Sequence, residues 1–171
     1  MPPIDVTRTY LELTDPARLR PARLPDPSLA LEQVSDCPPA LYRHLYGTVG
    51  AQYHWVDRQG WTDGEIRAYI ARPEITIWVL RRGTAEVGYF ELAQEPDGST
   101  EIAYFGLFPG SIGQGFGKHL LTVAVEQAWA TGARRVWLHT CTLDHAAALP
   151  NYLKRGFTPF RTEVYQATVP T

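Results

Sequence analysis

Cysteine is scarce in this chain of 171 residues: only Cys37 and Cys141 are present, which supplies neither a metal-ligand spacing nor a disulfide framework. Cys37 stands beside a proline pair and Cys141 in an apolar strand pattern, so both read as buried or incidental thiols. An excess of either charge is also missing. Sixteen basic and eighteen acidic residues leave a formal net charge of −2, so no global field draws the chain to nucleic acid or to an anionic membrane. No apolar run approaches the roughly 20 residues needed to span a bilayer. The start, Met1-Pro2-Pro3-Ile4-Asp5, lacks the basic and apolar regions of a signal peptide. A cytoplasmic protein without nucleic-acid or membrane partners is therefore expected. Repeats and low-complexity segments are absent. A hydrophobic fraction of 44% suffices for one packed domain over residues 1–171, with residues 1–40 a proline-rich part holding short strands.

The most informative stretch is Pro109-Gly110-Ser111-Ile112-Gly113-Gln114-Gly115-Phe116-Gly117-Lys118. Before it, Ile102 to Phe108 reads as a buried strand. After it, Leu120, Leu121, Ala124, Val125, Ala128 and Trp129 recur at helical spacing. Glycines at 113, 115 and 117 allow successive backbone N–H groups to turn toward one point at a helix start, a geometry that binds phosphate. Two common phosphate loops fail on inspection. A P-loop needs Gly at 112 and Ser or Thr at 119, where Ile112 and His119 stand; G-x-G-x-x-G fails because Lys118 and Leu120 occupy its third glycine positions. A glycine-rich turn without any ligand has the same composition.

The remaining pattern gives an element order. Thr7–Leu13 and Leu29–Val34 read as short strands, and Leu41, Tyr42, Leu45, Tyr46 and Val49 mark a helix over 40–52. Thr62-Asp63-Gly64-Glu65 has the form of a capping box for a second helix ending before Pro73. Ile75–Arg81, Glu86–Ala93 and Thr100–Phe108 predict an antiparallel meander. A helix stopped by Gly132, a strand Val136–Thr140, a short helix beginning near Asp144 and a strand from Phe157 to about Gln166 complete the chain.

This order, with Leu107-Phe108-Pro109 followed by Gly115-Phe116-Gly117, with Asp144 to Phe157 ending Tyr152-Leu153-Lys154-Arg155-Gly156-Phe157, and with Glu101 fourteen residues before Gly115, resembles the GNAT superfamily of N-acetyltransferases. The resemblance spans most of the chain. It implies an α/β (α+β) fold: a mixed, mostly antiparallel twisted sheet with helices on both faces and a splay between the strands Thr100–Phe108 and Val136–Thr140. It implies acetyl-CoA as cosubstrate and no metal, with the cofactor held by Leu107, Phe108, Pro109, Ile112, Gly113, Gln114, Gly115, Phe116, Gly117, Lys118 and His145. Two positions depart from the family pattern. Ile112 replaces a Gln or Arg and loses a polar contact to the diphosphate, and His145 replaces an Asn, adding a group that can titrate.

Acetyl transfer to an amine needs a deprotonated amine, a stabilised oxyanion and a proton for the leaving sulfur. An alkyl ammonium has a pKa of about 10.4, so a base is required at neutral pH. Glu101 is the candidate, and its period-2 partners Ala103, Phe105 and Leu107 would share one strand face with it; the alternative is a solvated edge glutamate after the Asp97-Gly98 turn. Tyr152 is the candidate acid for the thiolate, with core packing as its alternative role. Inside a helix Pro150 would remove one donor and favour a kink, either aiming Tyr152 at the site or shortening the helix ahead of it. The resemblance implies that a backbone N–H near Leu107 holds the oxyanion. His139 and Cys141 lie near the second splayed strand, and direct attack by the amine requires neither as a nucleophile.

The acceptor side would come from the aromatic stretch Tyr53 to Trp61. Tyr46, Tyr53, Trp55 and Trp61 could wall an aromatic or cationic acceptor, with Asp57 or Glu91 pairing to an ammonium. Equally, these residues could form a packing cluster with Asp57 and Arg58 as surface charges. The expected partner is a small-molecule or protein amine, and a homodimer is compatible with the sequence. An acyl-CoA-dependent N-acetyltransferase is thus the leading expectation. A non-catalytic acyl-CoA-binding sensor is the rival, and a nucleotide-binding protein a distant third.

Overall fold

The computed structural model describes residues 1–169. Strands form at β1 (Ile4–Leu13), β2 (Leu29–Gln33), β3 (Ile75–Arg82), β4 (Ala85–Gln94), β5 (Ser99–Leu107), β6 (Arg135–Cys141) and β7 (Thr158–Ala167). Helices form at α1 (Pro39–Gly50), α2 (Asp63–Ile70), α3 (Phe116–Ala130) and α4 (Ala148–Lys154). The sheet order is β2-β3-β4-β5-β6-β1-β7, with β5 and β6 parallel and the other neighbours antiparallel. Thr62 caps α2 as a reciprocal box: its Oγ1 accepts from the Glu65 N–H at 3.1 Å and the Glu65 side chain accepts from the Thr62 N–H at 3.4 Å.

Adjacent residues of each strand enter different cores. Val79 and Tyr89 pack with Tyr42, Leu45 and Val49 of α1 and Ile66 of α2, whereas Leu80 and Phe90 pack with Leu120, Leu121, Ala124 and Val125 of α3. Helices therefore cover both faces, as period-2 burial requires. Beside β3 to β5, the α1/α2 side of the sheet is well covered. Over β6, β1 and β7 that same side carries Tyr10, Trp137, His139 and Phe160, with Phe160 44% exposed.

Three expectations need correction. The last helix begins at Ala148, four residues after the Asp144 start read from the sequence. Asp144 instead turns its carboxylate back, accepting from the Cys141 N–H at 3.0 Å and from the Thr140 hydroxyl, so it closes the turn after β6. Pro150 consequently falls in the first turn of α4, where it removes no helical hydrogen bond and forces no kink. Third, Glu101 does not share a face with Phe105 and Leu107. Register against β4 shifts between Glu91↔Tyr104 and Leu92↔Ile102, leaving Ala103 as a bulge. Ile102, Phe105 and Leu107 thus pack on the α3 side, while Tyr104 packs on the α1/α2 side, the side to which Glu101 is paired through Ala93. At Gly106 the backbone passes so close to α1 that an added Cβ would lie 2.5 Å from Val49 Cγ1.

Among the described residues no helix is long and apolar enough to cross a membrane.

Candidate active site

Strands β5 and β6 pair only through Ser99↔Arg135, Thr100↔Val136 and Glu101↔Trp137. Beyond Glu101 they part, and a cleft of about 820 Å³ opens between them. Its wall takes every residue from Glu101 to Leu107 on one side, and Leu138, His139 and Cys141 on the other. Glu101 therefore marks the apex of the splay.

At the opposite end lies the glycine loop. Gly113 and Gly115 have φ of 83° and 84°, the left-handed region that a residue with a Cβ enters only under strain. Gly115 is the N-cap of α3 and supplies no side chain to its first turn, so the leading N–H groups of this helix have no side-chain cap. Ile112, Gly113, Gly115, Gly117 and Lys118 all line the cleft. The arrangement offers backbone donors, a helix N-terminus and a lysine to an anionic group. Asn151 of α4 donates to the Gly117 carbonyl at 3.1 Å, tying the last helix to this turn.

Several residues expected at the cofactor lie elsewhere. Phe108 is buried against α1, packing on His44, and its N–H is committed to the Val87 carbonyl at 2.9 Å. Phe116 is buried in the α3 core. Gln114 donates through Nε2 to the Gly110 carbonyl at 2.9 Å, and neither it nor Pro109 forms part of the cleft wall. Leu107 and His145 do line it. His145 accepts the Ala147 N–H on Nδ1 at 3.0 Å, which leaves Nε2 as the free ring nitrogen.

Two proton-carrying groups face the same cleft. Burial, reinforced by the carboxylates of Glu95 and Glu91, pushes the Glu101 carboxyl up to about 7. Tyr152 is buried edge-on between Phe105 and Phe157, each with centroids 6.1 Å away. Burial, then the charge of Asp144, raises its phenol well above the ordinary value, so it keeps its proton at neutral pH.

On the acceptor side Tyr53, Trp55 and Asp57 line the cleft. Trp55 packs on Tyr104 with centroids 4.9 Å apart, and Tyr104 reaches Asp57 at 3.5 Å. Trp61 and Glu91 do not reach the wall. Trp61 packs against Tyr69. Glu91 is fully buried and accepts from Arg58 on both oxygens at 2.8 Å, from Tyr42 at 2.8 Å and from Tyr69 at 2.7 Å. Its charge is already answered, so pairing of Glu91 to an ammonium is withdrawn. Among the described residues no cluster of three or more His, Cys, Asp or Glu is arranged to hold a metal ion.

The fold that builds this cleft is matched in known proteins. A model of the acetyltransferase (GNAT) family matches residues 39–157. The chain belongs to that family. No curated protein matches it in sequence. Among solved structures, a GCN5-related N-acetyltransferase from Kribbella flavida is 20% identical with a TM-score of 0.67, covering 94% of this chain and 56% of its own. One from Sphaerobacter thermophilus is 17% identical with a TM-score of 0.68, covering 98% and 52%. The chain thus spans little more than half the length of those two proteins. An aminoglycoside acetyltransferase from an uncultured soil metagenomic sample is 16% identical with a TM-score of 0.63, covering 76% of this chain and 88% of its own. At these identities the likeness is one of fold.

For this GNAT chain, sequence reasoning missed Arg58, read only as a surface charge. Burial works against its guanidinium, but Glu91 and the surrounding tyrosines overcome that and hold its pKa above the ordinary value. Arg58 also lies over the rings of Tyr69 and Tyr104, at 4.3 and 4.5 Å from their centroids. The missing signal was the partner, because Glu91 is 33 residues away in sequence. Lys154 and Arg155 were likewise quoted without a role. Both line the same cleft as Ile112.

Proposed function

We propose that this GNAT-family chain is an acetyl-CoA-dependent N-acetyltransferase acting on a primary amine by direct attack in a ternary complex. One observation carries the reading: the cradle at the start of α3, the Tyr152 phenol and the Glu101 carboxylate all face one continuous cleft. In the proposed complex the diphosphate rests on the N–H groups around Gly113 to Lys118, with Lys118, Lys154 and Arg155 supplying positive charge. The pantetheine arm enters between β5 and β6. Glu101 takes the proton of the incoming ammonium, and a backbone N–H near Leu107 steadies the oxyanion. Tyr152, protonated throughout the neutral range, gives its proton to the departing thiolate.

The acceptor enters beside Tyr53, Trp55 and Asp57. Aromatic rings beside the Asp57 carboxylate favour a cationic amine. Amino sugars belong among the amines to screen, since an acetyltransferase of this fold acts on aminoglycosides.

A thermal-shift titration with acetyl-CoA, CoA, longer acyl-CoAs, ATP and NAD tests this reading, followed by thiol release with a panel of amines. A saturable shift with CoA compounds alone, and thiol release that requires an amine, is expected. A CoA shift without amine-dependent thiol release would favour the acyl-CoA-binding sensor. No CoA shift in folded protein would overturn both.

A further inference from the structure

Glu101 has one titratable neighbour across the splay. His139 Nε2 lies 4.0 Å from Glu101 Oε1, on the first outward-facing residue of β6 beyond the last β5–β6 pair at Glu101↔Trp137. The two side chains therefore stand on opposite lips of the opening. The Glu101 side chain is 23% exposed and His139 36%, so the path from one to the other runs from the half-closed apex of the cleft toward water. His139 is held in place by Tyr10, whose ring centroid is 5.5 Å away and whose hydroxyl donates to Glu163 at 2.8 Å.

We propose that His139 is the proton exit of this site, receiving from Glu101 the proton that Glu101 takes from the acceptor ammonium and passing it to solvent. The inference rests on the acetyl-transfer reading above, and His139 is a positioning and relay residue that touches no reacting atom. The problem it solves is electrostatic. Glu101 faces Glu95 and Glu91 with only Arg58 as a favourable charge, so it gives up a proton less readily than an ordinary carboxyl does. A base that keeps its proton cannot serve a second turnover.

The groups around His139 suit a transient acceptor. It faces Arg8 on β1, Asp57 in the loop before α2, Asp144 after β6 and Glu163 on β7. Burial first, and then Arg8, lower its pKa below the ordinary value, against the opposing carboxylates. Above the Glu101 midpoint both groups of the resting pair are unprotonated, so once Glu101 takes the ammonium proton it faces a neutral Nε2 able to receive it. At 4.0 Å the transfer passes through one water or a small rotation of either side chain, since direct hydrogen bonds are shorter.

The step balances. The amine nitrogen forms a bond to the acetyl carbon and the bond from that carbon to sulfur breaks. One ammonium proton passes to Glu101, then His139, then water, and the proton lost from the new amide nitrogen is matched by one gained at sulfur. The net products are the amide, free thiol and one proton released to solvent.

Two measurements decide it. The first is an NMR pH titration of the His139 ring protons, which needs no acceptor. Wild type should show two steps, the upper near pH 7 from ionisation of Glu101, and Glu101→Gln should show only one; identical curves would overturn the relay. The second is the pH profile of kcat for the amine returned by the thiol-release screen. His139→Gln, a partly exposed position where the fold should survive, should lower kcat near pH 7 on the order of tenfold, well short of the roughly 10²–10⁴ of direct proton transfer. Its loss should not add to that of Glu101→Gln. A wild-type profile in His139→Gln, or additive losses, would overturn the relay while leaving N-acetyl transfer standing. A folded wild type that acetylates no amine would sink both.

Discussion

Arg58 grips both carboxylate oxygens of Glu91 at 2.8 Å, in a pair whose side chains are only 13% and 1% exposed. Through this pair the loop that carries Tyr53, Trp55 and Asp57 is pinned to β4, and the Arg58 N–H adds a bond to the Tyr46 hydroxyl at 3.1 Å. Removing one partner leaves a buried charge unanswered. Arg58→Met should therefore destabilise the fold by about 3–5 kcal/mol, and the double variant Arg58→Met/Glu91→Leu should recover much of that loss. Urea unfolding of the three proteins checks this; a double variant less stable than the single would contradict the pairing.

Glu101 should make stability fall as pH rises. Its carboxyl is raised from 4.5 to about 7 in the folded state, so the folded chain holds the proton more tightly than the unfolded one. The associated stabilisation is full below about pH 4.5 and is lost as pH passes through about 7, at most on the order of 3 kcal/mol. Glu101→Gln removes the titration. Relative to wild type the variant should gain stability between pH 5 and pH 8, and a difference unchanged across that range would contradict the shift.

The cradle depends on backbone conformation more than on space. A Cβ at Gly115 would meet only Leu24 and Lys118 atoms at an ordinary 3.6 Å, but φ there is 84°. Gly115→Val should cost about 1–2 kcal/mol through that strain and weaken acetyl-CoA binding at least about tenfold by turning the first N–H groups of α3. Calorimetric titration of the folded variant reads this directly. Unaltered affinity would remove the loop from the binding site.

Tyr152→Phe should leave the fold and acetyl-CoA affinity close to wild type, because the ring and its edge-on contacts with Phe105 and Phe157 remain. Turnover should fall about 10²-fold if the phenol protonates the thiolate. An unchanged kcat would leave Tyr152 as packing alone.

Much of this architecture could be read from local pattern. The capping box at Thr62 and Glu65, the alternation in β3 and β4, and the glycine turn before α3 each depend on neighbours within a few residues. What escaped depends on distant partners or on a single inserted residue. The bulge at Ala103 leaves no signature in an apolar run, yet it moves Glu101 to the face opposite Phe105. Nothing in the order of elements places β1 between β6 and β7, because lateral position is chosen by pairing along the whole strand. Asp144 read as the start of the last helix, but a tighter turn with Thr140 and Cys141 claimed its carboxylate. For the site, the glycine turn before α3 was legible from its spacing; the face that Glu101 takes and the saturation of Glu91 by Arg58, Tyr42 and Tyr69 were not.

The most direct test of acetyl transfer with Glu101 as its base is the pH dependence of amine-dependent thiol release from acetyl-CoA, in wild type and Glu101→Gln. Wild type should release thiol only when amine is present, with kcat/KM rising through a midpoint near pH 7. The variant should bind acetyl-CoA as tightly, lose that midpoint, and be slower by about 10²–10⁴ at neutral pH, recovering only as alkaline pH deprotonates the amine itself. Equal rates and superimposable pH profiles in the two proteins would contradict the assignment.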